Sequence, residues 1–131
     1  MSHTIDRTAT LANLEAAFAG ESMAHIKYRW FARIAREHGD EETALLFEQT
    51  AEHEVAHALG HASMLFPKAS LNPKRVLELA IEGETHEYTT MYPSFRTTAL
   101  EERDAAAVAE FDDQIAESRE HAQAFQDLLT Q

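Results

Sequence analysis

Phe47-Glu48-Gln49-Thr50-Ala51-Glu52-His53-Glu54-Val55-Ala56-His57-Ala58-Leu59-Gly60-His61 has the period of a helix and the wrong chemistry for a helical core. Steps of three and four place Phe47, Thr50, Glu54, His57, His61 and Leu65 on one face. An acid and an imidazole three residues apart thus share the stripe that should be apolar. The preceding segment repeats the anomaly. Leu14, Ala17, Phe18, Glu21, Ala24, Tyr28, Phe31 and Ala35 line one face, with Glu21 in its middle.

Punctuation residues frame these segments as helices. Helix A should start near Thr8 or Thr10, either able to cap it, and run to about His38. Gly39 then serves as the residue past its end and Asp40 as the next cap. Helix B runs from Glu41 to about Leu65 and stops before Pro67. Asn72-Pro73 marks the start of helix C, which reaches about Leu100 with a kink at Pro93; helix D starts near Asp104. Each helix has about 25 residues, hence about 37 Å of length. With only 4 Gly and 3 Pro in 131 residues, and 44% hydrophobic residues, the expectation is one all-α domain spanning residues 1–131, an antiparallel four-helix bundle.

The net charge of -12 argues against nucleic acid and anionic membranes as partners. No cysteine is present, which excludes disulfides, zinc–thiolate sites and iron–sulfur chemistry. No apolar run approaches membrane-spanning length, and the first ten residues lack a signal-like apolar segment, so the expected location is cytoplasmic.

The two halves echo each other. Phe18-Ala19-Gly20-Glu21-Ser22 matches Ile81-Glu82-Gly83-Glu84-Thr85 at an offset of 63, whereas Tyr28 and Phe31 match Tyr92 and Phe95 at 64. Phe47, His57 and Ala58 recur as Phe111, His121 and Ala122, again at 64. A helix pair therefore occurs twice, with one extra residue between Glu84 and Tyr92. Single insertions of this kind are absorbed as π turns.

Helix C carries Leu77, Ala80, Ile81, Glu84, Glu87, Met91 and Phe95 on one face, and helix D sets Glu117 and His121 on the flank of its stripe. Glu21 to Glu54 and Glu84 to Glu117 both span 33 residues, which brings the acids of each half to similar levels. Any single acid here reads first as a solvated one, since 23 of 131 residues are Asp or Glu. The joint pattern is more specific. Five glutamates facing a dry core cannot all stay ionised without cations. Oxygen and imidazole donors without thiolate suit iron or manganese, and Glu with Glu-x-x-His on paired helices is how helical bundles hold two metals.

At these positions the chain resembles rubrerythrin, in the ferritin-like family of di-iron carboxylate proteins. The resemblance rests on Ala17-Phe18-Ala19-Gly20-Glu21-Ser22, on Ala51-Glu52-His53-Glu54-Val55-Ala56-His57-Ala58 and on Gly83-Glu84-Thr85-His86-Glu87-Tyr88-Thr89-Thr90-Met91-Tyr92-Pro93. It implies a non-haem site of two Fe ions, with Mn as the other metal to consider, that reduces hydrogen peroxide to water. The implied ligands are Glu21, Glu54, His57, Glu84, Glu87, Glu117 and a helix D histidine, His121. His57 and Glu87 match positions that exchange on one iron as its oxidation state changes. Tyr28 and Tyr92 match tyrosines that hydrogen-bond ligand carboxylates.

Three departures from the family follow. Without cysteine, these residues contain no rubredoxin domain, so electrons are expected from an external donor such as a rubredoxin-like protein. Helix D reads Glu117-Ser118-Arg119-Glu120-His121, with Glu and His four apart where the family has three. Ser118 falls at the place matching Glu54, so a π turn on helix D is expected to bring Glu117 and His121 onto one metal, with Glu120 as second choice. Finally, the connection from Phe66 to Asn72 reaches at most about 25 Å, short of a bundle length. That raises a homodimer in which helices C and D pair with A and B of a second chain. Dioxygen as oxidant, a ferroxidase or iron-storage role, and a non-enzymatic helical interaction bundle remain open at this point.

Overall fold

The structure, a computed structural model, describes residues 5–131. All its regular elements are helical: α1 (Thr8–Glu37), α2 (Glu41–Leu65), a short 3₁₀ turn (Lys68–Ser70), α3 (Pro73–His86), a π turn (Glu87–Met91), α4 (Tyr92–Glu101) and α5 (Ala105–Leu129). The expected all-α class and the two similar helix pairs are borne out. The chain divides into two compact units, Met1–Ser70 and Leu71–Gln131, each a helical hairpin.

Local chemistry accounts for the boundaries. The Asp40 carboxylate accepts a hydrogen bond from the Thr43 amide (3.0 Å), Asn72 does the same for Arg75 (2.8 Å), and Asp104 for Ala107 (3.0 Å). Each satisfies an otherwise orphaned amide of the first turn. Helix α1 departs from expectation. Neither Thr8 nor Thr10 caps it; the Asp6 carboxylate, one residue earlier than the helix edge, accepts from the Thr8 amide at 2.8 Å.

The first hairpin is antiparallel: Glu21 meets His57, His25 meets Ala51, Tyr28 meets Phe47 and Arg36 meets Glu41 and Glu48. Alanines form its seam. Ala44, Ala51 and Ala58, seven residues apart, are buried on α2, as is Ala32 on α1. Side chains this small let two helix backbones approach closely, which draws the flanking functional groups together. The larger stripe residues lie beside the seam and stay partly exposed, Phe31 by 37% and Phe95 by 45%. Tyr28, Phe31 and Phe47 form an aromatic triangle with centroids 5.5–6.4 Å apart. Such pairs add roughly 0.5–1.5 kcal/mol each beyond burial.

The second hairpin repeats this plan. Tyr92, Phe95 and Phe111 make the equivalent triangle, with centroids 5.8–6.1 Å apart, over a seam of Ala99, Ser118 and Ala122. The extra residue appears as the π turn, where the Tyr92 amide donates to the Glu87 carbonyl five residues back. The interruption expected at Pro93 therefore falls just before it. Proline lacks an amide proton, so the carbonyl a turn earlier has no regular partner to lose there, and the wider turn costs little. By contrast, α5 is α-helical throughout, and the π turn expected on helix D is absent. None is needed: four residues in an ordinary helix advance 400°, which keeps Glu117 and His121 within about 40° of one another.

The repeat also exposes a weak joint. Gly39 ends α1 with φ +81°, a conformation that glycine adopts freely. Sixty-four residues on, the same role falls to Arg103, at φ 60°. A side chain there costs roughly 1–2 kcal/mol. Arg103→Gly is expected to stabilise the protein by about 1 kcal/mol, and Gly39→Ala to destabilise it by a similar amount. Urea unfolding followed by circular dichroism reads both.

Candidate metal centre

Each hairpin holds a cluster of ligand-type side chains halfway along its seam. In the first, α1 presents Glu21 and α2 presents Glu54 and His57. His57 Nδ1 lies 3.2 Å from Glu21 Oε2 and 3.4 Å from Glu54 Oε1. One donor atom from each of the three lies within 4.8 Å of the others, a spacing that a single cation can bridge. The two carboxylates share a hydrogen bond. It holds Glu21 below the usual carboxylate range and, together with burial and the Glu21 charge, pushes Glu54 above it. Like charges held this close oppose simultaneous ionisation of both acids.

In the second hairpin, His121 Nδ1 on α5 lies 3.5 Å from Glu84 Oε1 on α3. Glu84 Oε2 is buried and has no hydrogen-bond partner among the described residues, an arrangement that is costly unless something else binds the oxygen. Glu87 begins the π turn and accepts a hydrogen bond from Ser118 Oγ at 3.1 Å. Tyr92, just after that turn, has its hydroxyl pKa raised by burial first and then by the charges of Glu87, Glu84 and Glu110.

The sequence-derived residues therefore gather unequally. Glu21, Glu54 and His57 come together, as do Glu84 and His121. Glu87 is partly buried and tied to Ser118. Glu117 and Glu120 are both exposed, and neither makes a hydrogen bond or ion pair among the described residues. The hydroxyls of Tyr28 and Tyr92 hydrogen-bond to no carboxylate among the described residues; both rings serve the aromatic triangles instead.

Two residues were missed. Ser118, only 3% exposed, replaces by a hydroxyl the carboxylate that the repeat places at Glu54, and it fixes Glu87 across the seam. The repeat pointed to the position, but not to the partner. His25 presents Nδ1 to the Ala51 carbonyl at 2.7 Å, one turn beyond Glu21. Its signal was its place on the face of α1 that carries Glu21, which sequence reasoning left unused.

The donor set suits hard or borderline cations. Carboxylates and imidazoles without thiolate favour iron or manganese over soft metals, and the orphaned Glu84 oxygen together with the crowded pair Glu21–Glu54 marks places where a cation would relieve an existing penalty. The residues present fit a carboxylate-held metal pair.

Comparison with known proteins agrees. The rubrerythrin family model matches residues 12–129. Rubrerythrin of Porphyromonas gingivalis is 37% identical over 121 residues, covering 82% of this chain and 60% of that protein. Nigerythrin of Nitratidesulfovibrio vulgaris is 39% identical over 115 residues, covering 79% of this chain and 57% of that one. Rubrerythrin-1 of Clostridium acetobutylicum is 32% identical, covering 93% of this chain and 70% of that protein. This chain thus spans between about 57% and 70% of the length of these relatives. A structure of fully reduced, all-ferrous nigerythrin aligns at 31% identity over 98% of this chain and 69% of the other, with a TM-score of 0.47. From the match across residues 12–129 and from these relatives, the chain belongs to the rubrerythrin family of ferritin-like di-iron carboxylate proteins.

Proposed function

We propose that this chain is a di-iron peroxidase, reducing hydrogen peroxide to water with electrons from an external donor such as a rubredoxin-like protein. The observation that carries the reading is the Glu21–Glu54–His57 cluster, whose donor atoms lie within 4.8 Å of one another on two helices of one hairpin. The two hairpins are read as halves of one functional domain. Glu21, Glu54 and His57 form one half-set of ligands, and Glu84, Glu87, Glu117 and His121 the other. Ferrous ions bound by these residues would supply the two electrons that, with two protons, reduce one hydrogen peroxide to two waters.

The protein's own part is binding and charge control. Glu54, held above the usual carboxylate range by the neighbouring Glu21, would have to be deprotonated to bind a cation, since a metal ligand must be deprotonated. His57 contacts both carboxylates of its half-set, and its imidazole, 59% exposed, has room to swing away. Glu87 begins the π turn, and its carboxylate accepts a hydrogen bond from the Ser118 hydroxyl. The family resemblance implies that these two side chains, His57 and Glu87, would exchange on one metal when iron is bound. In each hairpin a tyrosine ring, Tyr28 in the first and Tyr92 in the second, packs against the facing phenylalanine near the carboxylates.

The connector supports a second chain as the source of the other half-set. Seven residues join α2 to α3, and Lys68–Ser70 coil into a 3₁₀ turn, so their reach falls below the extended limit of about 25 Å. A crossover along a ferritin-like bundle needs about 37 Å.

Stopped-flow mixing of the anaerobic ferrous protein tests the activity: oxidation by peroxide is expected to be at least about tenfold faster than by dioxygen at equal concentration, a difference of about 1.4 kcal/mol in barrier. The reverse preference overturns the reading. Glu54→Ala is expected to weaken metal binding about 10–100-fold or more while helix content stays unchanged. Because Glu54 holds its proton above the usual carboxylate range, cation affinity falls as the solution is acidified through that range. Calorimetry of Mn(II) binding in buffers of different ionisation enthalpy should show net proton release.

A further inference from the structure

A second apolar stripe runs along α1, on the side facing away from the ligands. Ala12, Ala16 and Ala19 continue into Met23, Ile26, Trp30 and Ile34 by steps of 4, 3, 4, 3, 4 and 4. At about 100° per residue, Met23 lies about 200° round the helix from Glu21. Any bundle closed around the ligand carboxylates therefore leaves this stripe on its outside. The large members are exposed: Met23 and Ile26 by 64%, Trp30 by 54% and Ile34 by 39%. An acidic surface has no use for four such side chains in a row unless something covers them.

The stripe is complementary to itself. Its first half is small and its second half large, with Met23 at the junction. Laid antiparallel on a copy of itself about a twofold axis at Met23, Ile34 meets Ala12, Trp30 meets Ala16 and Ile26 falls over Ala19 and Gly20. Bulky side chains then fill the space that alanines leave, along about 33 Å of helix. The charges agree with the same register. Glu15 and Arg33 are 18 residues apart, five full turns, so both lie on one flank of the stripe. In the antiparallel pair, each Glu15 comes within about 3 Å, along the axis, of the level of the other copy's Arg33. Among the described residues neither has an ion-pair partner within its own chain; Arg33 only stacks over Trp30, at 5.4 Å.

We propose that this stripe is an isologous interface, on which α1 of a second copy of the chain packs antiparallel about a twofold axis at Met23. The contact is independent of the metal ligands and of how the half-sets of ligands are paired.

The absence of cysteine makes the test direct, because Met23→Cys introduces the sole thiol of the protein. A residue on the twofold axis faces its own copy at disulfide distance. Under mild oxidation Met23→Cys is expected to cross-link nearly completely into covalent dimers, whereas Leu59→Cys, equally exposed on α2, stays reduced. Trp30→Asp should halve the number of chains per particle in light scattering, with helix content and iron per chain unchanged. Arg33→Glu should weaken association about tenfold, and adding Glu15→Arg should restore it. Met23→Cys that cross-links no better than Leu59→Cys, or a Trp30→Asp particle of unchanged mass, overturns the proposal. Iron loading unaffected in either case separates this failure from any failure of the peroxidase reading.

Discussion

Carboxylates crowded along helix seams need positive charge, and that need governs the rest of this structure. Glu21 and Glu54 are close enough to share a proton, and Glu84 turns a buried oxygen toward no partner. Left alone, such groups either bind protons or pull a helix pair apart. The alanine seam makes the crowding tolerable: Ala44, Ala51 and Ala58 hold the first hairpin together close to the acids without competing for their space. The aromatic triangles, one beside each cluster, then supply apolar contact where the seam itself is too thin to provide it. Stability and function are thus divided between different residues of the same faces.

Duplication explains both the regularity of the plan and its exceptions. The same hairpin is written twice, and the differences fall at the site or at the turns. The added residue before Tyr92 becomes a π turn that begins at Glu87. The carboxylate at Glu54 becomes the buried hydroxyl of Ser118, which restrains Glu87 instead of binding a cation itself. Gly39 becomes Arg103, a left-handed residue with a side chain at its turn. The two clusters are therefore related but unequal.

Much of this could be read from the residues. Asp40, Gly39, Asn72, Pro73 and Asp104 are punctuation whose meaning is local, so the ends of α2 and the starts of α3 and α5 followed directly. The π turn was legible because the repeat changes offset from 63 to 64 between Glu84 and Tyr92. Three features were not. The cap of α1 comes from Asp6, outside the window where Thr8 and Thr10 drew attention. Which stripe residues are truly buried depends on how closely two helices approach, and alanines at heptad spacing set that distance while Phe31 and Phe95 stay at the edge. The partner of Ser118 depends on a contact across a seam, which spacing along one helix does not contain. Of the site, the Glu21, Glu54 and His57 cluster was visible in full, whereas Glu117 was chosen by repeat spacing and stands exposed.

Anaerobic titration of the metal-free protein with Fe(II), read by bound iron per chain and by melting temperature together, tests the central claim most directly. The account predicts saturation at about two ions per chain with a clear rise in melting temperature, because the cations would offset the crowded carboxylate charge and satisfy the Glu84 oxygen. Saturation below one ion per chain, or a melting temperature indifferent to iron, would contradict it.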